Sequence, residues 1–316
     1  MMSRFILKRL SNILFTICLL SLFLFFLVRA IPGSPEMVLL MNRGGAINNE
    51  ELTIIRGELG LNTSVFYQYM EWFKNVIRLD FGSSYQSGLP VLEEILSRVT
   101  PTLLLTSVSL VISTLSGIMI AFYSSLHREQ KWSGFISHVA IFLSSLPNYL
   151  IGLFCVLLFS IHWRIFPVYG NDSWVHLILP VFTICVPLIA VFYHLFRQIM
   201  EEVLESHYFE AAQSRGVKNT ILYGKILFFP CLHGFLTIIA TNIGSLWGGI
   251  IVTETIFAWP GIGSYIINAV SVRDYPVIIG FTLIMACSTM FMYLIIDLLL
   301  RWTDPRQRWK ERDSEW

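Results

Sequence analysis

Six stretches of this chain, near 9–29, 102–125, 135–160, 176–198, 226–252 and 277–300, are runs of largely apolar residues, and about 20 such residues are what a helix needs to cross the hydrocarbon of a bilayer. Backbone N–H and C=O groups in lipid must be satisfied within the segment, so each stretch has to be helical. With 55% of residues hydrophobic and 14% charged, the chain cannot hide its apolar surface in a water-soluble core. The expected fold is an all-α integral membrane protein, one transmembrane domain over 1–316 with six spans. A polar helical segment (31–100) separates the first two spans, a polar loop (199–225) separates the fourth and fifth, and a charged tail (301–316) follows the last. Thr100-Pro101 reads as a capping hydroxyl followed by a proline at the first helical position of the second span.

Orientation follows from lysine and arginine, which accumulate on the cytoplasmic side. Arg4, Lys8 and Arg9, then Arg128 and Lys131, then Arg197, Arg215, Lys218 and Lys225, then Arg301, Arg306, Arg308, Lys310 and Arg312 all fall on one side if both termini are cytoplasmic. Residues 31–100 then lie outside. The run from Leu10 to Val28 exceeds the apolar core of a signal peptide and reads as an uncleaved first span. A net charge of +1 gives no reason to expect nucleic acid. The five cysteines, Cys18, Cys155, Cys185, Cys231 and Cys287, sit in or at the edge of apolar spans and read as small buried hydrophobes without disulfide or metal spacing.

The 31–100 segment is patterned as helices: Glu51 to Leu59 ending at Gly60, an amphipathic stretch marked by Phe66, Met70, Phe73 and Ile77, and a short helix carrying Val91, Leu92, Ile95 and Leu96. Between the fourth and fifth spans, Phe209-Glu210-Ala211-Ala212-Gln213-Ser214-Arg215-Gly216-Val217 forms a polar, small-residue island. Leu204, Tyr208 and Ala211/Ala212 recur at helical spacing, so a short helix would carry one apolar stripe centred on two methyl groups that lets another backbone come close. Gly216 is where such a helix would stop, because glycine enters the left-handed conformation at little cost, and Asn219 or Thr220 can cap the next helix. An ordinary helical hairpin between two spans is the plain alternative.

Glu210-Ala211-Ala212, Gly216 and Ile226 resemble the signature loop of the membrane subunits of ATP-binding-cassette importers. That resemblance implies a cytoplasmic coupling helix seated in a groove of an ATPase subunit, with Glu210, Ala211, Ala212 and Gly216 as the coupling residues. The Leu-Pro that the family carries after the isoleucine is replaced here by Phe228-Phe229-Pro230. Ile31-Pro32-Gly33-Ser34-Pro35, Leu59-Gly60-Leu61-Asn62, Gln68-Tyr69 with Trp72, and Asp80-Phe81-Gly82 with Ser84 are similar to landmarks of the first permease subunit of dipeptide, oligopeptide and nickel importers. So are Ile178-Leu179-Pro180, Phe257-Ala258-Trp259-Pro260-Gly261-Ile262-Gly263, Arg273-Asp274-Tyr275-Pro276-Val277 and Asp304-Pro305-Arg306, in that order. Ser34 stands where the family commonly has aspartate. The resemblance implies a second permease subunit, two ATPase subunits that bind ATP and magnesium, and an extracytoplasmic solute-binding protein as partners in a bacterial inner membrane.

Trp259, Pro260 and Gly261 read either as a re-entrant corner lining an outer gate or as a tight turn between helices. Arg273 and Asp274 read as a gate ion pair, as a receptor-docking contact, or as charges that cap and solvate a helix start. His194 and Asp297 are ionisable groups inside spans and so are candidates to line a pathway, although a pair between Asp297 and Arg301 one turn on also accounts for the aspartate. Glu254 lies near the end of a span. No phosphate-binding glycine loop, His-Glu-x-x-His, nucleophile elbow or clustered ligand set occurs, so the chain is expected to hold no cofactor or metal and to be no enzyme. The short connection over 161–175 leans, by the resemblance, toward nickel or a metal chelate as cargo, with short peptides as the alternative. A secondary transporter or channel working without ATPases is the rival class; it calls for charges at the bilayer midplane and an inverted repeat.

Overall fold

The computed structural model describes residues 2–30, 35–42, 49–58 and 61–303. Among them the chain is helical, and its one extended pairing is an isolated bridge between Ser83 and Pro90. α1 (Met2–Ala30) is followed by three short helices, α2 (Pro35–Asn42), α3 (Asn49–Glu58) and α4 (Val65–Ile77), and then by the long α5 (Val91–Leu126). α6 (Lys131–Ser144) and α7 (Asn148–Cys155), the latter prolonged by a π-helical stretch over Val156–His162, precede α8 (Val175–Leu204). The short α9 (His207–Ser214) and α10 (Asn219–Ile221) lead through a π turn at Leu222–Phe228 into α11 (Phe229–Ile256), and α12 (Ile262–Ser271) and α13 (Tyr275–Thr303) follow.

Among the described residues five helical runs are long and apolar enough to span a membrane, Arg9–Ala30, Val91–Leu126, Val175–Leu204, Asn219–Asn242 and Tyr275–Leu298. A sixth is α6 with α7 if a pair bent by 95° counts as one broken span. The expected span over 135–160 falls on this pair, which breaks before Pro147, a residue that lacks an N–H and disfavours helix in the residue preceding it. Pro147 sits at the cap of α7, and its carbonyl accepts from Leu150 at 3.0 Å.

Pro101 does the opposite of what its capping context suggests. α5 runs unbroken through it from Val91, so the expected short helix and the second span are one element and Thr100 is no cap. Fully buried Val91 and Ile95 hold the N-terminal turns in a packed cluster, and that burial outweighs one missing hydrogen bond. The fifth span starts earlier than expected, at Asn219, and its π turn directly precedes Pro230, whose missing N–H interrupts the regular ladder. Neither Asn219 nor Thr220 caps it; the capping position is Lys218, without a side-chain bond.

The chain divides into two compact units, one from Met1–Thr100 with Ser264–Leu294, the other from Pro101–Gly263 with Ile295–Trp316. In the first, α4 lies against α1 through aromatic rings: Phe25 meets Tyr69 at 5.2 Å and Trp72 at 5.6 Å, and the Ser21 and Tyr69 hydroxyls are 3.0 Å apart. The helix is where its pattern put it, but the buried face differs. Phe66, Met70 and Ile77 are exposed. α3 matches the expected helix at Glu51 to Glu58; Leu59 and Gly60, like residues 31–34 and 304–306, lie outside the described residues. Phe81, Val91, Ile95, Ile266, Val277 and Leu283 form the unit's main apolar cluster.

In the second unit, α8 packs against α6 and α11 around Phe192, Tyr193, Phe196, Met200 and Phe235. α5 brings a stripe of small buried residues, Ser109, Ser113, Ala121 and Ser124, at successive turns. Lipid tails are as apolar as leucine, so helices in a bilayer associate by close packing of small side chains and by polar bonds between helices. Both devices are present. A methyl group on Gly117 would come within 2.8 Å of the Phe192 Cβ on α8, and the Tyr193 hydroxyl bonds Ser124 (3.0 Å) and Ser137 (2.8 Å). Outward faces carry Leu103, Val111, Leu115, Met119, Phe142 and Leu153, all exposed, as lipid-facing positions require. Cys155, Cys185 and Cys231 are buried as expected; Cys18 is half-buried and Cys287 is exposed on α13.

Gly117→Val should wedge α5 from α8 at a cost of about 1–3 kcal/mol, read as a lowered unfolding midpoint of the solubilised protein, whereas Gly134→Val, with open space around it, should leave the midpoint near wild type.

Candidate functional site

α9 starts and stops as its sequence dictates. The Ser206 Oγ accepts from the Phe209 N–H at 3.3 Å, and Gly216 ends the helix at φ +69°, the left-handed region that costs other L-residues about 1–2 kcal/mol. Val217 then donates back to the Ala212 carbonyl at 3.3 Å. The apolar stripe is not the expected one. Leu204 belongs to α8, and the inward face of α9 is Phe209 and Ala212, buried with Leu222, Ile226 and Leu227. Phe209 and Tyr223 rings lie 6.3 Å apart. Ile226 thus serves as floor beneath the short helix.

The other face is open. Tyr208 is 68% exposed, Ala211 is exposed beside it, and Glu210 sets its carboxylate 3.6 Å from the His207 ring. A flat helix face with a methyl at its centre, an aromatic ring and a carboxylate at its edges, and a rigid floor is suited to carrying another protein rather than to chemistry. Of the four coupling candidates, Ala212 faces inward, Glu210 and Ala211 face outward, and Gly216 shapes the exit.

The corner after α11 is closed, not open. Trp259 is 3% exposed, and its indole N–H donates to the Pro101 carbonyl at 3.0 Å. Ala258 turns the chain at φ +47° and Gly261 donates to the Trp259 carbonyl at 2.7 Å. Glu254, wholly buried, accepts from the Thr102 hydroxyl at 2.6 Å and from the Gly263 N–H at 2.7 Å.

Arg273 and Asp274 part company. Arg273 is exposed at φ +56°, while Asp274 is 2% exposed and its Oδ2 accepts from the Ser84 hydroxyl at 2.6 Å and the Gln86 N–H at 3.2 Å. Asp274 therefore ties the 84–86 turn down. Burial, reinforced by Asp274, pushes the neighbouring Tyr85 phenol up to about 12.

His194 on α8 lines a polar cavity of about 600 Å³ with Ser137, Arg197, Glu201, Glu202 and Glu205, and its Nε2 is buried without a hydrogen-bond partner. Arg197 is anchored there by Glu201 at 2.6 Å and the Tyr193 hydroxyl at 2.7 Å. Asp297 is half-buried on α13; the side chain of Arg301 lies outside the described residues. The sequence gives no role to Thr102 or Tyr193, and it marks Phe209 and Ser84 only as members of motifs. Phe209 carried a signal, a lone aromatic in a small-residue island; the others act through partners far along the chain.

Comparison with known proteins gives a family match over residues 113–309, described as the inner membrane component of binding-protein-dependent transport systems, and a second over residues 2–106 to the N-terminal part of such components. The chain is 31% identical over 310 residues to the glutathione transport system permease protein GsiC of Shigella flexneri serotype 5b, covering 98% of this chain and all of the relative. The protein of the same name from Escherichia coli strain K12 is 30% identical with the same coverage. A crystal structure of an amino acid ABC transporter with histidines aligns at TM-score 0.47 and 17% identity, over 68% of this chain and 94% of that one.

Asp274→Ala should leave the buried Ser84 hydroxyl without its acceptor and the Gln86 amide with Ser84 Oγ alone, costing about 1–3 kcal/mol; limited proteolysis should cut the 82–90 loop sooner than in wild type, with Ser84→Ala showing a smaller change in the same direction.

Proposed function

The chain belongs to the inner membrane components of binding-protein-dependent transport systems, permease subunits of ATP-binding-cassette importers rather than enzymes, and from that premise we propose that it forms half of the pathway for short peptides of the glutathione class. The exposed face of α9 carries this reading. It is a capped, floored helix with Ala211 at its centre, a shape that a partner ATPase can seat. Glu210, Ala211, Ala212 and Gly216 form the coupling element, the first two by contact and the others by holding the helix in place. The 199–225 loop and both termini are cytoplasmic, 31–100 is extracytoplasmic, and a solute-binding protein docks on that outer side. The complex is completed by a second permease subunit and two ATPase subunits that bind ATP and magnesium.

The cargo follows the relatives. Both are glutathione permeases by name, and glutathione is a tripeptide. The short 161–175 connection, which favours nickel or a metal chelate, weighs less than similarity over 98% of the chain. Closure of the ATPases drives exchange between inward- and outward-open states through differential contacts at α9.

In vesicles carrying the complete transporter and its receptor, ATP-dependent uptake of labelled glutathione or a dipeptide is expected, with none of nickel; nickel uptake would reverse the cargo assignment. Ala211→Arg or Glu210→Arg should abolish uptake while membrane insertion stays normal, because a long cation replaces the methyl or the carboxylate on the contact face. Wild-type uptake in both variants would sink the coupling role of α9.

A further inference from the structure

Glu254 is wholly buried, and the corner after α11 is built around it. Both its oxygens accept: Oε1 from Thr102, Oε2 from the Gly263 N–H. The Thr102 hydroxyl in turn accepts from the Ile262 N–H at 2.8 Å. Ile262 and Gly263 are the first residues of α12, whose leading amides have no partner within the helix. One carboxylate and one hydroxyl satisfy both, and the positive end of the helix favours the negative group. Trp259 donates its backbone N–H to the Glu254 carbonyl at 2.8 Å, so the same residue also anchors the turn through its main chain.

The two glycines of the corner answer to the same side chain. A methyl on Gly261 would fall onto the Glu254 carboxylate, and one on Gly263 would come within 2.6 Å of the Ile251 Cα and 2.9 Å of Glu254 Oε2. Trp259-Pro260-Gly261-Ile262-Gly263 is thus the envelope of a buried glutamate and its threonine. A buried carboxylate is costly unless its acceptor positions are filled. Any movement of the first turn of α12 away from α11 breaks bonds to a group that cannot be left unpaired.

We propose that Glu254 is a positioning residue for transport: with Thr102 it latches the 258–263 corner shut, and the latch is released when the outer gate opens. This rests on the importer reading above. Weakening the latch lowers the cost of opening, so the transporter no longer waits for its loaded receptor.

The test uses the complete transporter in proteoliposomes, with ATP hydrolysis measured per assembled complex with and without loaded receptor. Glu254→Gln keeps the shape and removes one acceptor, and receptor-independent hydrolysis is expected to rise about tenfold, the shift in an equilibrium that follows from one lost charge-assisted hydrogen bond. Thr102→Val should do the same and Thr102→Ser should restore the wild-type ratio of stimulated to basal activity. Gly261→Ala should be defective alone, while Gly261→Ala with Glu254→Ala should be no worse than Glu254→Ala, since the truncated side chain vacates the space. An unchanged ratio in Glu254→Gln and Thr102→Val overturns the latch, as do independent, multiplying defects in the double variant. Where Glu254→Gln does not assemble, Thr102→Val and Thr102→Ser decide the outcome. Absence of ATP-driven uptake in the wild type would instead overturn the importer reading.

Discussion

Lipid offers the backbone no hydrogen bonds, and everything else in this molecule is arranged around that fact. Long helices are the default, and each interruption is allowed only where the freed groups find partners. At Pro147 the partners are local: Ser145 donates to the Ile141 carbonyl and Ile151 to the Pro147 carbonyl. At α9 they are a serine cap and the return bond from Val217. At the 258–263 corner local partners do not suffice, and Thr102 is brought from α5, 152 residues away from Glu254.

The same constraint decides how the helices hold one another. Burial of apolar surface gains little when the alternative is lipid, so the second unit relies on close approach along the small-residue stripe of α5 and on a chain of hydroxyls from Ser124 and Ser133 through Tyr193 to Ser137 and Arg197. Such a chain is directional where apolar packing is not. It sets the rotation of α8 about its own axis, and therefore the direction from which α9 leaves it. Phe209 and Ala212 sit in the same buried cluster as Phe196 and Met200 of α8, so α9 is packed onto that helix rather than tethered by a loose connection.

The existence of the spans was legible because length and hydropathy alone impose it, but their extents were not: α5 reaches back to Val91, the fifth span starts at Asn219, and α6 and α7 meet at a 95° bend. The stop of α9 was legible because Gly216 acts within one turn of itself, whereas its start at Ser206 was not read and Leu204, counted on its stripe, belongs to α8. What could not be read was which face of a helix is buried. In a soluble protein the apolar stripe points inward; here Phe66 and Ile77 on α4 point out while Tyr69 and Trp72 point in. The face that α4 buries is chosen by its aromatic partner Phe25 on α1, which the apolar periodicity of α4 alone does not reveal. Pro101 misled for a related reason: a proline cap and a proline inside a helix look alike until the burial of Val91 and Ile95 shows that the helix is held on both sides.

Polar pairs across the chain were the other silent feature. Ser84 and Asp274 are 190 residues apart, and nothing near either residue announces the other. Yet such pairs leave a trace in their surroundings. Gly261 and Gly263 look like ordinary turn glycines, but the reason they bear no side chain is the carboxylate of Glu254, seven and nine residues upstream, and the Ile251 backbone. A glycine that avoids a collision is a different constraint from one that adopts a left-handed angle: Gly216 would be relieved by asparagine, which tolerates that conformation, whereas Gly261 tolerates no side chain while the glutamate is in place. A short motif of small residues in a membrane protein can therefore be the negative image of a buried polar group that holds the backbone where lipid would not.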